Sequence, residues 1–519
     1  MWKRIKQLFQ GKPTPEPVDR KKEFSVEKYT EDQNTNTVNQ EIKPNFSVGL
    51  SREESTQISD SYWQTEIENL SQALNLNPQD YVAYCDRGII YCDMLEQYKN
   101  AVSDFTKAIE IKPDLDNLWF NRGQAYLGLK EYENAISDYA EALKINPSNS
   151  STYNNRGHAY KEIKEYEKAI ADFTQVLKLV SNNSNAYNNR GIAYGEIKEY
   201  EKAIADFTQA INLDRNFSYA YNNRGNAYRD IKEYEKAIAD FTQAINLDLN
   251  FSHAYTNRGL AYDEITEYKK AIADFTQAIE LDPNDCNTYS NRGLTYREIK
   301  ENESAIADLT QALRLNPNDC NTYNNRGLTY CDIEEYSKAI ADFTQAIQLD
   351  PKYYPAWVNK GMCFEIVRSY HVALENYDEG LSHLDPQTEP LGCAMLHWHK
   401  GITHYNHGKT QPDARRYFAL ATQEYSTAYN LIEADPLHTP DTLNILKNWI
   451  IALRALGWEE DADALTLNAI QRLNNYLIQA DPLYRKVLRY EVYTLKVDVD
   501  ILATINSPQS HWEALQEAE

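Results

Sequence analysis

The stretch Tyr221–Leu247, YNNRGNAYRDIKEYEKAIADFTQAINL, decides the fold. Nearly the same words recur on both sides of it. Its glycine, Gly225, has counterparts at Gly88, Gly123, Gly157, Gly191, Gly259, Gly293, Gly327 and Gly361. The first spacing is 35 residues and every later one is 34. A fixed period of this length marks a solenoid, in which one supersecondary unit is stacked many times.

With the glycine counted as position 8, aromatics fall at positions 4 and 11, as in Tyr221 and Tyr228. Spacings of four and three place these on one helical stripe. Ala237, Phe241 and Ala244 form a second stripe at positions 20, 24 and 27. Proline closes several units at position 32, at Pro147, Pro283, Pro317 and Pro351, where a helix cannot continue. Each unit is therefore helix, turn, helix. The small residues at 8 and 20 let the two helices approach closely, and the aromatics fill the space beside them. A single hairpin cannot bury its apolar faces alone, so neighbours must stack.

At nearly every signature position this pattern resembles the tetratricopeptide repeat (TPR), and eight consecutive units keep the period. Units of the NRG type with YEKAIADFTQAI second helices resemble bacterial members, cyanobacterial ones especially. The resemblance implies an all-α, right-handed TPR superhelical solenoid. Its first helices would line the concave side, with positions 2, 5, 6, 9, 12 and 13 facing the groove.

The rest of the chain is read around these units. Residues 1–12, MWKRIKQLFQGK, carry four basic residues and no acid, and Trp2, Ile5, Leu8 and Phe9 share one helical face. Such a segment can lie at a membrane surface with weak attachment; the alternative is a disordered tail in which the spacing is accidental. It belongs to a tail, 1–57, whose later part is polar and poor in apolar residues and reads as disordered. Residues 58–80 read as an N-terminal capping helix and 81–386 as nine units, the first with one extra residue near Met94–Gln97. Residues 387–519 hold an irregular unit laid on Trp398, Tyr405, Ala414, Phe418 and Ala421, then a helical C-terminal cap or interaction module. In that region Leu443–Leu456 and Asp461–Ile478 read as helices parted by Gly457, and Pro482–Ile505 as a further helical stretch.

Position 7 is Arg in eight units, from Arg87 to Arg326, and position 23 is Asp in the same eight, from Asp104 to Asp342. In the ninth unit both change, to Lys360 and Asn376. The joint change predicts an Arg–Asp contact, within a unit or between neighbours, with a structural role.

Position 6 is Asn in eight consecutive units: Asn121, Asn155, Asn189, Asn223, Asn257, Asn291, Asn325 and Asn359. Position 5 adds Asn154, Asn188, Asn222 and Asn324. A carboxamide both donates and accepts, so such a row can hold a peptide main chain with little regard for its side chains. It resembles the asparagine ladder in the TPR part of O-linked N-acetylglucosamine transferases, although no catalytic domain of that kind follows here. The competing reading is that these amides bond to neighbouring helices. No Lys or Arg stands at positions 2, 5 or 6 of the first eight units, which disfavours a clamp for a chaperone's C-terminal carboxylate. Position 13 is acidic in six units: Glu162, Glu196, Asp230, Glu264, Glu298 and Asp332. With a formal net charge of -24, the chain favours a protein or peptide partner with basic residues, and nucleic acid is a poor partner.

Seven cysteines without a CxxC argue against a disulfide framework or zinc site and fit a reducing, cytoplasmic setting, with peripheral contact at the inner face of a membrane through residues 1–12. His397, His399, His404 and His407 cluster, but no HExxH accompanies them and packing is the better reading. Gly408-Lys409-Thr410 imitates the end of a phosphate loop without its earlier glycine or a preceding strand. No cofactor is implied, and the expected function is a non-enzymatic protein-interaction scaffold. The competitors are an enzyme or regulatory subunit acting through residues 390–519, and a membrane-tethered assembly factor.

Overall fold

The computed structural model describes residues 52–432 and 439–466. Helix α1 (Arg52–Leu76) precedes the hairpins α2–α3 (Tyr81–Ile89, Tyr98–Ile111), α4–α5 (Asp116–Gly128, Tyr132–Ile145), α6–α7 (Ser150–Glu162, Tyr166–Leu179), α8–α9 (Ser184–Glu196, Tyr200–Leu213), α10–α11 (Ser218–Asp230, Tyr234–Leu247) and α12–α13 (Ser252–Glu264, Tyr268–Leu281). They form one body that ends at Pro283. A second begins at Asn284 and holds α14–α15 (Cys286–Glu298, Asn302–Leu315), α16–α17 (Cys320–Asp332, Tyr336–Leu349), α18–α19 (Tyr354–Ile366, Tyr370–His383), α20–α21 (Pro390–Gly408, Ala414–Ile432) and α22 (Thr439–Leu456). α1 starts at Arg52, inside the stretch that composition assigns to the tail. Polarity alone does not separate coil from a solvated helix. Residues 1–12, residues 467–478 of the helix expected over Asp461–Ile478, and the stretch Pro482–Ile505 lie outside the described residues.

The glycine at position 8 sits where a side chain has no room. A Cβ on Gly225 would lie 2.7 Å from the Phe241 ring, and Phe241 and Ala237 are both fully buried. The turn between helices is a Schellman motif. In α10–α11 the Glu233 amide donates to the Tyr228 carbonyl at 2.8 Å and the Lys232 amide to the Arg229 carbonyl at 2.9 Å. Lys232 adopts φ 64°, and Lys130, Lys164, Lys198 and Lys300 do the same in their units. A non-glycine residue there costs about 1–2 kcal/mol, which the packed hairpin overrides. The extra residue of the first unit is absorbed before the turn. Ile90–Met94 is a π-helical segment, while Glu96 keeps the left-handed position at φ 51°. One added residue is accommodated more easily by a wider last turn than by a new loop that would shift the second helix.

The Arg–Asp contact lies inside each unit. Arg224 donates through Nε and Nη2 to both oxygens of Asp240, each at 2.7 Å, and the eight pairs share this two-pronged geometry. Asp240 is only 6% exposed. The third nitrogen of Arg224 reaches back to the Thr208 hydroxyl of the preceding unit at 3.0 Å. Thr208 in turn donates to the Ile204 carbonyl at 2.7 Å. The guanidinium also lies 5.6 Å from the Tyr221 ring centre, within cation–π reach. Arg87, Arg122, Arg190, Arg258 and Arg326 make the same backward bond, to Ser71, Thr106, Thr174, Thr242 and Thr310. Arg156 faces Ala140 at the corresponding place and keeps its Asp172 pair. In the ninth unit Asn376 donates to the Trp357 carbonyl at 2.8 Å, and Lys360 lies over the Trp357 ring.

The tenth hairpin, α20–α21, departs from the expected alignment. A Cβ on Gly401 would lie 2.5 Å from Tyr425, so Tyr425 fills the place taken elsewhere by Phe241. Phe418 instead packs on Tyr405, 5.0 Å between ring centres. The helices here are 19 residues long against 13 and 14 in α10–α11, and the close crossing falls about one turn later along the second helix. Gly457 ends α22 at φ 80°, and a further helical segment starts at residue 459.

Between the ninth and tenth units lies a buried polar cluster. Glu365 accepts from the Tyr377 hydroxyl at 2.9 Å and from the Thr403 hydroxyl at 2.6 Å, and both donors' residues are fully buried. Burial pushes the Glu365 carboxyl up to about 7, against the pull of these two hydrogen bonds. His399 packs 6.2 Å from the Tyr377 ring centre, and burial pushes it down to about 4. The two groups act in opposite senses. Glu365 contributes stability that is present below its ordinary 4.5 and is lost as pH rises through about 7. His399 contributes stability that is present above its ordinary 6.5 and is lost as pH falls through about 4.

Two outcomes follow for urea unfolding of the full chain. Arg224→Met leaves Asp240 buried and unpaired and should cost roughly 3–5 kcal/mol, whereas Ala140→Thr, which returns a hydroxyl to Arg156, should gain up to about 1 kcal/mol. A loss below about 0.5 kcal/mol for Arg224→Met would show the clamp to be dispensable. The stability of the native chain relative to Glu365→Gln should fall between pH 4.5 and 7, on the order of 2 kcal/mol. Relative to His399→Gln it should rise between pH 4 and 6.5. A difference of the opposite sign in either pair would contradict the assigned burial.

Candidate interaction surface on the first helices

Within each body, the first helix of a unit touches the first helix of the next, and more extensively than successive second helices touch. Each stack therefore bends toward its first helices. Every residue of α10 is buried or half-buried, while α11 exposes Glu235, Lys236 and Ala239. The first helices form the sheltered layer, and the asparagines lie on it.

In the first body the carboxamides pair across units. Asn223 donates to the Asn188 carbonyl oxygen at 3.0 Å, and Asn257 to that of Asn222 at 3.0 Å. Asn121 stands against the Cys85 sulfur at 3.8 Å, because Cys85 takes position 5 of the first unit. Asn154 donates to its neighbour Asn155 at 3.4 Å. Asn189 is half-buried on the same layer. In the second body Asn359 donates to Asn324 at 2.8 Å, with Asn291 and Asn325 half-buried. The two positions thus differ. The position-5 residues Asn188, Asn222 and Asn324 are 7%, 6% and 5% exposed and serve as acceptors between units, whereas the position-6 residues other than Asn155 remain half-buried. Bonds between neighbouring first helices therefore engage both rows, the inner residues as acceptors and Asn223, Asn257 and Asn359 of the outer row as donors. In Asn223, Asn257 and Asn359 pairing uses one N–H of the carboxamide, and its oxygen and second N–H are directed by that bond. The repeated 5–6 offset was visible in the sequence; that the two rows would meet required knowing the stacking register.

The acidic row is uneven. Glu264 and Glu298 are exposed, and Tyr234 donates to Glu264 at 3.4 Å. Asp332 is matched by Arg297 at 2.6 Å, and Arg229 at position 12 reaches Asn257 at 3.4 Å. Lys161, 6% exposed, lies 3.8 Å from Glu162, and burial lowers the pKa of its ammonium.

The C-terminal features resolve into packing and ion pairs. His397 bonds Glu424 at 2.6 Å, and Lys400 bridges Glu424 and Asp378 at 2.9 and 2.7 Å. His407 packs between Tyr370 and Tyr417, with ring centres 4.9 and 4.6 Å away. Gly408 ends a helix and Lys409 lies over the Tyr405 ring at 4.3 Å, so the phosphate-loop imitation has no strand before it. An open cavity of about 590 Å³ is lined by Thr422, Gln423, Ser426, Trp449, Trp458 and small or aliphatic residues, with Asp461 as its one carboxylate. Among the described residues no helix is long and apolar enough to cross a membrane.

Comparison with known proteins agrees with this architecture. Tetratricopeptide repeat profiles match residues 81–115, 117–149, 150–183, 184–217, 218–251, 252–285, 275–307, 293–333 and 320–353, together more than half of the chain. The heat shock protein sti1 homolog of Schizosaccharomyces pombe is 33% identical over 67 residues, 13% of this chain and 11% of that protein. YrrB, described as a TPR protein with an unusual peptide-binding site, is 23% identical, with 36% of this chain and 95% of that chain covered and a TM-score of 0.31. Yeast Tom70 is 15% identical, with coverages of 84% and 99% and a TM-score of 0.42. MamA is 28% identical, with coverages of 32% and 96% and a TM-score of 0.30. From the repeated profile matches over helical hairpins of one period, the chain belongs to the tetratricopeptide repeat family.

Proposed function

We propose that this protein is a non-enzymatic interaction scaffold that holds an extended segment of a partner protein, carrying basic residues, against the first-helix layer. The observation that carries this reading is the outer row of carboxamides. Asn223, Asn257 and Asn359 are held in place by a bond to the preceding unit, which uses one N–H of each and leaves the second N–H, and at Asn223 and Asn359 the oxygen, to a ligand. A ligand that meets oriented groups avoids the entropy of ordering them, which favours affinity. Acidic Glu196, Asp230, Glu264 and Glu298 on the same helices, and a net charge of -24, favour Lys or Arg in the bound segment. Cytoplasmic placement follows from the same reading and from the free cysteines.

Affinity capture with three full-length forms tests this. The triple variant Asn189→Ala, Asn223→Ala, Asn257→Ala should lose the partner that the native chain retains. The variant Glu196→Gln, Asp230→Gln, Glu264→Gln, which leaves the amide pairs untouched, should bind it more weakly and with less dependence on salt. Equal retention by the native and triple-variant forms, with unchanged helicity, would exclude the carboxamide row. Equal salt dependence for the acidic variant would exclude a basic partner.

A further inference from the structure

In the second body, α16 and α18 bring two thiols into contact. Cys331 and Cys363 lie 3.2 Å apart, sulfur to sulfur, and are 6% and 1% exposed. Both are free thiols. They occupy position 12 of one unit and position 10 of the next, the same offset that joins Glu365 to Thr403 one unit later. Elsewhere this offset pairs Lys161 with Ala193, Gly195 with Ala227, and Arg229 with Ala261. Cysteine stands at both places once. Ala or Thr fills position 10 in the second to eighth units, so Cys363 departs from them, and both cysteines lie in the buried core of this body.

We propose that Cys331 and Cys363 form a reversible disulfide site, which ties two successive first helices together covalently when a peroxide reaches it. A disulfide needs its sulfurs at about 2.05 Å, so roughly 1 Å of travel closes the bond and neither helix has to unfold. Cys331 is the more accessible sulfur and takes the first step. Its thiolate attacks one peroxide oxygen, the O–O bond breaks, hydroxide leaves, and Cys331 becomes a sulfenic acid. The Cys363 sulfur then displaces that hydroxyl, and water departs with the Cys363 proton. In balance, two thiols and one hydrogen peroxide yield one disulfide and two waters; sulfur is oxidised and peroxide oxygen reduced. The hydrogen bond with Cys331, together with burial, holds Cys363 protonated in the reduced pair, so its proton leaves as its sulfur attacks. Contact between the sulfurs makes the second step intramolecular and favours it over further oxidation of Cys331. In a solenoid, neighbouring units flex at their shared interface, so a cross-link there fixes the spacing of α16 and α18. This site is independent of whether the first helices bind a partner.

The test treats the reduced full chain with hydrogen peroxide, alkylates it under denaturing conditions and maps the peptides by mass spectrometry. The expected result is a cross-linked peptide pair containing Cys331 and Cys363, lighter by two hydrogens and cleaved by dithiothreitol, with two fewer alkylated cysteines. Cys363→Ser should instead accumulate a sulfenic acid on Cys331 that dimedone traps, and native protein should not. The oxidised native chain should unfold at a higher urea concentration than the reduced one, and Cys331→Ala should show no such shift. Two cysteines left alkylatable while the half-buried Cys286 and Cys320 oxidise would overturn the proposal, as would Cys331 oxidised beyond the sulfenic acid without a cross-link.

Discussion

The stacking depends on a guanidinium that faces two ways. Each position-7 arginine holds an aspartate of its own hairpin with two nitrogens, and most of them turn the third to a hydroxyl of the hairpin before. One side chain thus sets both the packing inside a unit and the seat of that unit on its neighbour. An isolated surface ion pair would do little. Here the carboxylate is nearly buried, so leaving either partner alone is costly. The pair therefore acts as a specification of geometry, and the apolar contacts of Phe241 with Gly225 supply the cohesion that the geometry permits.

The same unit-to-unit register serves several chemistries on the first-helix layer. Positions 5 and 6 join as amide pairs, while positions 12 and 10 join as two thiols in one place and as a carboxyl with a hydroxyl in the next. The scaffold repeats while the groups at its joints change. Rows that run unchanged, such as the outer asparagines, present the same group at every unit. Joints that change differ in chemistry: a carboxyl meets a hydroxyl at Glu365, and two thiols meet at Cys331 and Cys363.

Much of this was legible in the residues. The period, the helical hairpin, the close approach at glycine and the Arg–Asp pairing all follow from which positions repeat and which change together, as Lys360 and Asn376 do. Features that depend on how far a helix runs were not. The extra residue of the first unit entered a π-helical segment instead of the turn, and Tyr425 replaced Phe418 in the tenth hairpin because those helices are longer. The left-handed lysines were also hidden, since lysine carries no local signal for that conformation and only the Schellman bonds impose it.

The candidate site divides in the same way. The sequence by itself determined which side chains recur, because a constant period repeats its chemistry along one helical face. Only the tertiary structure decided what those side chains do, because their partners lie one unit away. Asn188 and Asn222 are equivalent to Asn154 in the sequence, yet stacking buries them as acceptors for the next hairpin. Cys331 and Cys363 are separated along the chain by a turn, the whole of α17, a loop and most of α18, and the register between units is what brings the sulfurs into contact.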